Sequence, residues 1–152
     1  MFRLRGRSMH EVLKLPPMSK HIDEIEGIGA AFSAKLQAVG IKTVEALLEA
    51  GATPKGRKEL EEKSGIGHHH LLKWVNQADL FRIDGVGRQY AELLEHAGVD
   101  SVPELAERNP EHLYAKMEEL NAARHDVRSL PTATHVKNWI EQAKSLPRVV
   151  HY

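Results

Sequence analysis

The feature that most constrains the fold of this chain is a pattern of 17 residues that occurs twice. The segment IEGIGAAFSAKLQAVGI (25–41) aligns without a gap with IDGVGRQYAELLEHAGV (83–99), 58 positions later. Each copy contains an apolar residue, a Gly-apolar-Gly turn and a helical series of apolar residues that ends at a glycine. The agreement continues beyond that glycine, since Val44 aligns with Val102. The chain therefore contains an internal duplication, which predicts a fold built from two similar units.

Each copy of the pattern is followed by a second helical segment. Its apolar residues recur at i, i+3, i+4 and i+7, which is one stripe of an amphipathic helix. The stripe residues are Leu71, Trp74, Val75 and Ala78 in the first copy and, 65 positions later, Val136, Trp139, Ile140 and Ala143. The turn Gly65-Ile66-Gly67 precedes the first stripe, whereas Leu130-Pro131 occupies the corresponding place before the second. We predict four helical hairpins, the fourth degenerate, paired as repeats over residues 21–79 and 80–147.

Residues typical of helix ends support this division. Gly40 and Gly98 follow the last apolar residues of their helices, where a left-handed C-terminal cap is common. Side chains that can cap a helix N-terminus precede other segments, namely Thr43, Thr53, Ser101 and Asn109. Proline follows Thr53 and Asn109 at the first helical position. Ser101 and Glu104 have the spacing of a capping box.

The pattern GhGxxxAxxh, where h is apolar, resembles the helix-hairpin-helix motif of many DNA-binding and DNA-processing proteins. In this sequence it comprises Gly85, Val86, Gly87, Ala91 and Leu94. Two hairpins joined by a connector helix resemble the double helix-hairpin-helix domain. The resemblance thus implies an all-α fold of two tandem double helix-hairpin-helix repeats. The chain is also similar to an uncharacterised bacterial family of tandem helix-hairpin-helix proteins, a domain of unknown function, and that similarity implies no activity.

In members of the motif family that bind DNA, the glycine turn offers backbone N–H groups to a phosphate at a helix N-terminus. By position, the resemblance implies such contacts at Gly27, Ile28, Gly29, Gly65, Ile66, Gly67, Gly85, Val86 and Gly87. Basic side chains near the second and third turns complete the candidate site: Lys55, Arg57, Lys58, Lys63, Lys73, Arg82 and Arg88. Such contacts position a protein without reading bases. The first hypothesis is a non-catalytic module with weak, salt-sensitive binding to DNA or another nucleic acid.

The charge distribution supports a second hypothesis. Lys plus Arg and Asp plus Glu both number 21, so the net charge is zero. Residues 21–51 have two basic and five acidic groups and residues 80–109 have three and six, so each segment has a net charge of −3. Glu26 and Asp84 directly precede turns, where they would repel a phosphate. The alternative is a protein-interaction or scaffold module that has lost DNA binding, with an exposed apolar patch or a stable oligomer.

The run His68-His69-His70 invites a metal-binding hypothesis. Consecutive helical residues point about 100° apart, so three neighbours cannot converge on one ion. We expect a solvated helix N-terminus and no metal site. Histidines gain positive charge below neutral pH, which predicts stronger anion binding there.

Trp74 and Trp139 occupy equivalent positions on the apolar stripes, so we expect core anchors rather than stacking platforms for bases. The same expectation applies to Phe32 and Tyr90. The sequence has no Walker motif and no carboxylate pair linked to a phosphate loop. We therefore expect neither catalysis nor a cofactor.

Residues 1–20 have five basic groups and one acidic group, a net charge of +4. They are expected to form a basic arm that is partly disordered or touches an anionic partner, while residues 148–152 form a C-terminal tail. The chain has no cysteine and no apolar run of membrane-spanning length, and its first residues lack the apolar core of a signal peptide. We expect a cytoplasmic protein that does not bind membranes.

Overall fold

Helices provide the regular structure of the residues that this computed structural model describes, 20–125 and 127–152. A 3-10 helix (Ile22–Glu24) comes first, and eight α-helices follow within these ranges, with no β-strand. They are α1 (Ala30–Ala38), α2 (Val44–Ala50), α3 (Pro54–Ser64), α4 (His68–Leu80), α5 (Arg88–His96), α6 (Val102–Ala106), α7 (Pro110–Arg124) and α8 (Ala133–Ser145). The predicted all-α class is confirmed. The predicted basic arm lies outside the described residues except for Lys20.

The duplication is visible in the contacts between helices. Helix α1 packs on α3, α2 on α4 and α3 on α4, and the corresponding pairs α5–α7, α6–α8 and α7–α8 pack in the same way. Helices α4 and α5 connect the two sets. The apolar residues of both copies belong to one continuous core, so burial of one copy is coupled to burial of the other.

Most of the predicted helix ends are confirmed. Thr43, Thr53 and Asn109 each accept a hydrogen bond from the backbone N–H three residues later, at 3.0 Å. Gly40 and Gly98 have positive φ angles of 89° and 93° after the ends of α1 and α5. Local sequence was sufficient at these positions because each cap involves residues within one turn of the helix.

The capping box predicted for Ser101 and Glu104 is wrong. Ser101 makes no side-chain cap to α6, and Glu104 accepts a hydrogen bond from Asp100 N at 2.8 Å instead. The first N–H of α6, on Val102, donates to Oδ2 of Asp79 at 2.8 Å. A buried carboxylate is a stronger acceptor than a hydroxyl group, so the distant residue replaces the adjacent one.

Asp79 is the centre of a buried polar network between the two copies. Its side chain is fully inaccessible, and its Oδ1 accepts a hydrogen bond of 2.8 Å from Nη1 of Arg82. Nη2 of Arg82 donates to the carbonyl oxygen of Pro147 at 2.7 Å. The network therefore joins the end of α4, the start of α6 and the segment that follows α8.

The C-terminal tail packs against the first copy. His151 N donates to Ala52 O at 2.8 Å, and Nη2 of Arg57 donates to His151 O at 2.7 Å. The side chains of Val149 and Val150 are buried. The end of the chain thus contacts residues about a hundred positions earlier, which stabilises the arrangement of the two copies.

Each tryptophan lies beneath the glycine turn of its own copy. Gly27 and Gly85 both have φ angles of +96°. A Cβ added at Gly27 would lie 3.4 Å from Nε1 of Trp74, and one added at Gly85 would lie 3.0 Å from Nε1 of Trp139. Both indoles are almost completely buried. The first glycine of these turns is therefore required by backbone conformation and by packing, and both tryptophans are core anchors as predicted.

Candidate functional site

The N-termini of α1 and α4 lie next to each other. Phe32 and His70 occupy the third position of their helices, and their ring centroids are 5.2 Å apart. Below them, Trp74 contacts both rings, edge-on to Phe32 at 5.0 Å and stacked on His70 at 5.5 Å. The buried indole thus fixes two helix N-termini at one surface.

Both of these helices begin at a glycine. Gly29 precedes α1 and Gly67 precedes α4, and neither helix has a side-chain cap. Each glycine is exposed, and a Cβ added to either would meet no atom of residues 20–125 or 127–152 within 4 Å. The first N–H groups of a helix have no partner within the helix. The described residues therefore leave space for a small anion at Gly29 and Gly67, beside the first N–H groups of α1 and α4.

The central residue of each turn has a different role from the one predicted. Ile28, Ile66 and Val86 are buried. Their N–H groups donate within the turn, to Ile25 O at 3.2 Å, to Oγ of Ser64 at 3.1 Å and to Ile83 O at 3.1 Å, respectively. The phosphate contacts predicted at these three residues are therefore corrected, because an N–H that closes the turn is not available to a ligand.

The two glycines of the first turn predict different effects of substitution. Gly27→Ala is expected to lower the free energy of unfolding by about 1–3 kcal/mol, because its φ of +96° is strained for a residue with a Cβ. Gly29→Ala, at φ −86° in open space, is expected to cost about 1 kcal/mol or less. Urea denaturation of both variants measures the difference. Equal losses would contradict a packing role confined to the first glycine.

Two predicted cations are not at the surface. Arg57 and Arg82 are 2% and 3% exposed. Arg57 donates to Gly51 O at 2.8 Å and to the C-terminal tail, and burial lowers the pKa of its guanidinium while Tyr152 opposes that shift. Arg82 is paired with Asp79. Both are removed from the phosphate-binding set, because each guanidinium is occupied inside the protein.

The remaining cations divide by position. Lys73 is exposed on α4, and Lys63 is exposed two residues before Gly65. Lys55 and Lys58 are also exposed but stand near the start of α3. At 1.5 Å per helical residue, Lys55 is roughly 15 Å from the turn along the axis. Lys63 and Lys73 therefore belong to the same end of the repeat as the open N-termini, and Lys55 and Lys58 do not.

Sequence reasoning missed Lys35. It is exposed on α1, and its Nζ lies 5.9 Å from the centroid of the Phe32 ring. Aligning the first and third turns on their glycines, 38 positions apart, places Lys35 on Lys73 and Phe32 on His70. This alignment of the two turns within one repeat is the sequence signal that indicates Lys35. The helices α1 and α4 thus each have a lysine at the sixth position.

The second turn has its cation in an ion pair. Arg88, the first residue of α5, donates from Nε to Oε1 of Glu26 at 2.7 Å. This hydrogen bond raises the pKa of Arg88 above its ordinary value, burial opposes the shift, and the charges of Glu26, Glu24 and Glu92 add to it. Arg88 is therefore already neutralised by carboxylates of its own chain.

The fourth hairpin has a closed N-terminus. The side chain of Thr132 accepts from His135 N at 3.0 Å, and Thr132 N donates to Nδ1 of His135 at 3.4 Å, which completes a capping box before α8. No glycine turn precedes it, as the sequence indicates. The second copy thus has one open N-terminus, at α5, and the first copy has two.

Comparison with known families matches residues 26–146 to the family described as Domain of unknown function (DUF4332). The chain belongs to the DUF4332 family. Within this DUF4332 chain the match includes all eight α-helices, from α1 to α8, and it brings no activity with it. Comparison with curated proteins and with solved structures finds no match.

Two further properties of the described residues concern metal binding and membrane spans. Among residues 20–125 and 127–152, no group of three or more His, Asp or Glu side chains is arranged to hold a metal ion. His68, His69 and His70 are exposed at the start of α4. Within the same residues, the helices are too short or too polar to cross a bilayer.

Proposed function

We propose that this DUF4332 chain consists of two tandem double helix-hairpin-helix repeats and acts as a non-catalytic, cytoplasmic module that binds the phosphate backbone of nucleic acids. The first repeat provides the main contact surface. It does so through the N-termini of α1 and α4, and the bases are not read. The protein-interaction function is the alternative.

The adjacent open N-termini of α1 and α4 are the observation that supports this proposal most strongly. A helix N-terminus attracts anions through its unpaired N–H groups and its dipole. Helices α2, α3, α7 and α8 have Thr or Asn caps, whereas α1 and α4 have exposed glycines at that position. The N-termini of α1 and α4 are adjacent, since the rings of Phe32 and His70 are in contact, and they can therefore bind neighbouring phosphates.

The surrounding charges support weak and unspecific binding. Lys35, Lys63 and Lys73 are exposed near the two N-termini, and lysine contacts a phosphate as a point charge without fixed geometry. Contacts to phosphate position a protein but contain no sequence information. With few cations and a net charge of zero, the expected Kd is on the order of micromolar or poorer at physiological salt.

Charge reversal at the two equivalent lysines is expected to weaken binding. In fluorescence anisotropy with labelled duplex DNA at about 50 mM salt, Lys35→Glu/Lys73→Glu should raise the Kd by about tenfold or more. The slope of log K against log salt should fall by roughly two, one for each phosphate that is no longer neutralised. Two duplexes of unrelated sequence should give similar Kd values with the native protein.

The control for this experiment is Lys116→Glu/Lys144→Glu. It changes the net charge by the same amount at exposed positions on α7 and α8, where each lysine forms an i,i+3 ion pair. A similar loss of affinity in both double variants would show that net charge alone governs binding. No binding by the native protein at about 50 mM salt, to duplex or single strands, would refute the proposal.

The alternative function requires a different surface. A protein-interaction module is expected to expose an apolar patch. In the part of the chain that the structure describes, Tyr152 is the single large hydrophobic side chain that is exposed, at 62%. This favours the phosphate-binding proposal over the scaffold.

A further inference from the structure

The two Gly-apolar-Gly turns of the duplicated pattern are linked by one ion pair. Glu26 lies in the first turn, directly before Gly27, and its partner Arg88 directly follows the second turn, which ends at Gly87. The two residues are 62 positions apart in the sequence. The first turn thus presents a carboxylate to the cation of the second.

The pair is accessible to solvent and therefore exchangeable. The side chains of Arg88 and Glu26 are 48% and 41% exposed. Exposed ion pairs contribute little net stability. A phosphate can accept the same kind of charge-assisted hydrogen bond as a carboxylate. Arg88 is consequently held by an anion that an external phosphate must displace.

Other features of the second turn suit an anion. Helix α5 begins at Gly87 without a side-chain cap. Nζ of Lys20 lies 3.9 Å from the place where a Cβ on Gly87 would be. The carboxylates of Glu24 and Glu92 also interact electrostatically with Arg88. The turn thus combines two cations and open N–H groups with carboxylates that oppose a ligand.

We propose that Glu26 competes with phosphate for Arg88 at the second glycine turn. Its carboxylate occupies Arg88 and thereby confines binding of the nucleic-acid backbone to the first repeat. The inference rests on the proposed function and identifies Glu26 as a residue that sets the affinity for nucleic acid. Removal of the Glu26 charge releases Arg88 for one additional phosphate contact. Asp84 provides the matched comparison, because it precedes Gly85 as Glu26 precedes Gly27 and makes no ion pair among the described residues.

The test compares the native protein with Glu26→Gln, Asp84→Asn, Arg88→Gln and Glu26→Gln/Arg88→Gln. Anisotropy titrations with a labelled duplex are made between about 50 and 200 mM salt. Glu26→Gln is expected to lower the Kd by about three- to tenfold and to steepen the salt dependence by about one unit, as one more phosphate is neutralised. Arg88→Gln should change the Kd little, and it should abolish the gain in the double variant.

The outcomes separate this inference from the proposed function. If Asp84→Asn increases affinity as much as Glu26→Gln, or if the gain persists without Arg88, the effect is general repulsion and the inference is wrong. Native binding with an unchanged Kd in Glu26→Gln also overturns it and leaves the proposed function intact. Absence of binding by all five proteins at about 50 mM salt refutes the proposed function and the inference together.

Discussion

Asp79→Ala is expected to lower the free energy of unfolding by about 3–5 kcal/mol, because it leaves a buried guanidinium without its counter-charge. Arg82 has 3% of its surface exposed, and its Nη1 is 2.8 Å from Oδ1 of Asp79. The same substitution removes the acceptor for Val102 N at the start of α6. Urea denaturation followed by circular dichroism measures the loss. A typical domain has about 5–15 kcal/mol in total, so this is a large share.

A second pair of variants distinguishes the effect of the buried charge from the effect of removing packed atoms. Asp79→Leu/Arg82→Met removes both charges and is expected to be more stable than Asp79→Ala, since a buried ion pair can be replaced by apolar residues at little cost. Glu107→Ala, at an exposed position, serves as the control and should change stability by less than about 0.5 kcal/mol. If Asp79→Ala is no worse than this control, the buried network does not stabilise the protein.

The sequence was sufficient for the class of the fold because helices depend on local signals. Thr43, Thr53 and Asn109 cap the helices that they precede, and the positive φ angles of Gly40 and Gly98 lie where they were expected. Each of these features involves residues within a single turn of helix. The duplication added long-range information, since apolar positions that recur at a fixed spacing belong to equivalent faces.

The burial of the two arginines was not predictable in the same way. Arg57 has Glu59 and Glu61 within four residues and Arg82 has Asp79 and Asp84, a sequence context that is equally typical of exposed cations on a helix surface. Nη2 of each guanidinium donates to a distant carbonyl oxygen, on His151 for Arg57 and on Pro147 for Arg82, 94 and 65 positions away. Such contacts form only when the residues after α8 pack against the earlier helices. Ser101 failed as a cap for the same reason, because Asp79 is distant in sequence from Val102, by 23 positions.

The candidate site was predictable in outline. The glycine turns were found, but the sequence did not show that Ile28, Ile66 and Val86 use their N–H groups to close them. Nothing in the sequence indicated that Glu26 would reach Arg88, a contact that depends on how the two copies are placed. Lys35 was within reach of sequence reasoning, since it aligns with Lys73 once the two hairpins of one repeat are compared.

Trp74→Ala is expected to lower the free energy of unfolding by about 3–5 kcal/mol, as is typical for truncation of a large aromatic residue in a core. The indole is 2% exposed and contacts the rings of Phe32 and His70 beneath the turn at Gly27. Trp74→Phe retains an aromatic ring of smaller volume and should cost less. Both values are measured by urea denaturation, with the midpoint and slope compared to detect a change in cooperativity.

The two Trp74 variants also decide whether Trp74 is a core anchor or a platform on which bases stack. A core anchor holds the N-termini of α1 and α4 together, so Trp74→Phe should bind DNA more weakly in proportion to its loss of stability, for duplex and single strands alike. A stacking platform predicts the reverse: Trp74→Ala would leave the unfolding midpoint unchanged and weaken binding to single strands alone. Trp139→Ala, under the turn at Gly85, should destabilise the protein similarly. Because α8 has a capped N-terminus, any effect of Trp139 on DNA binding should come through α5 alone.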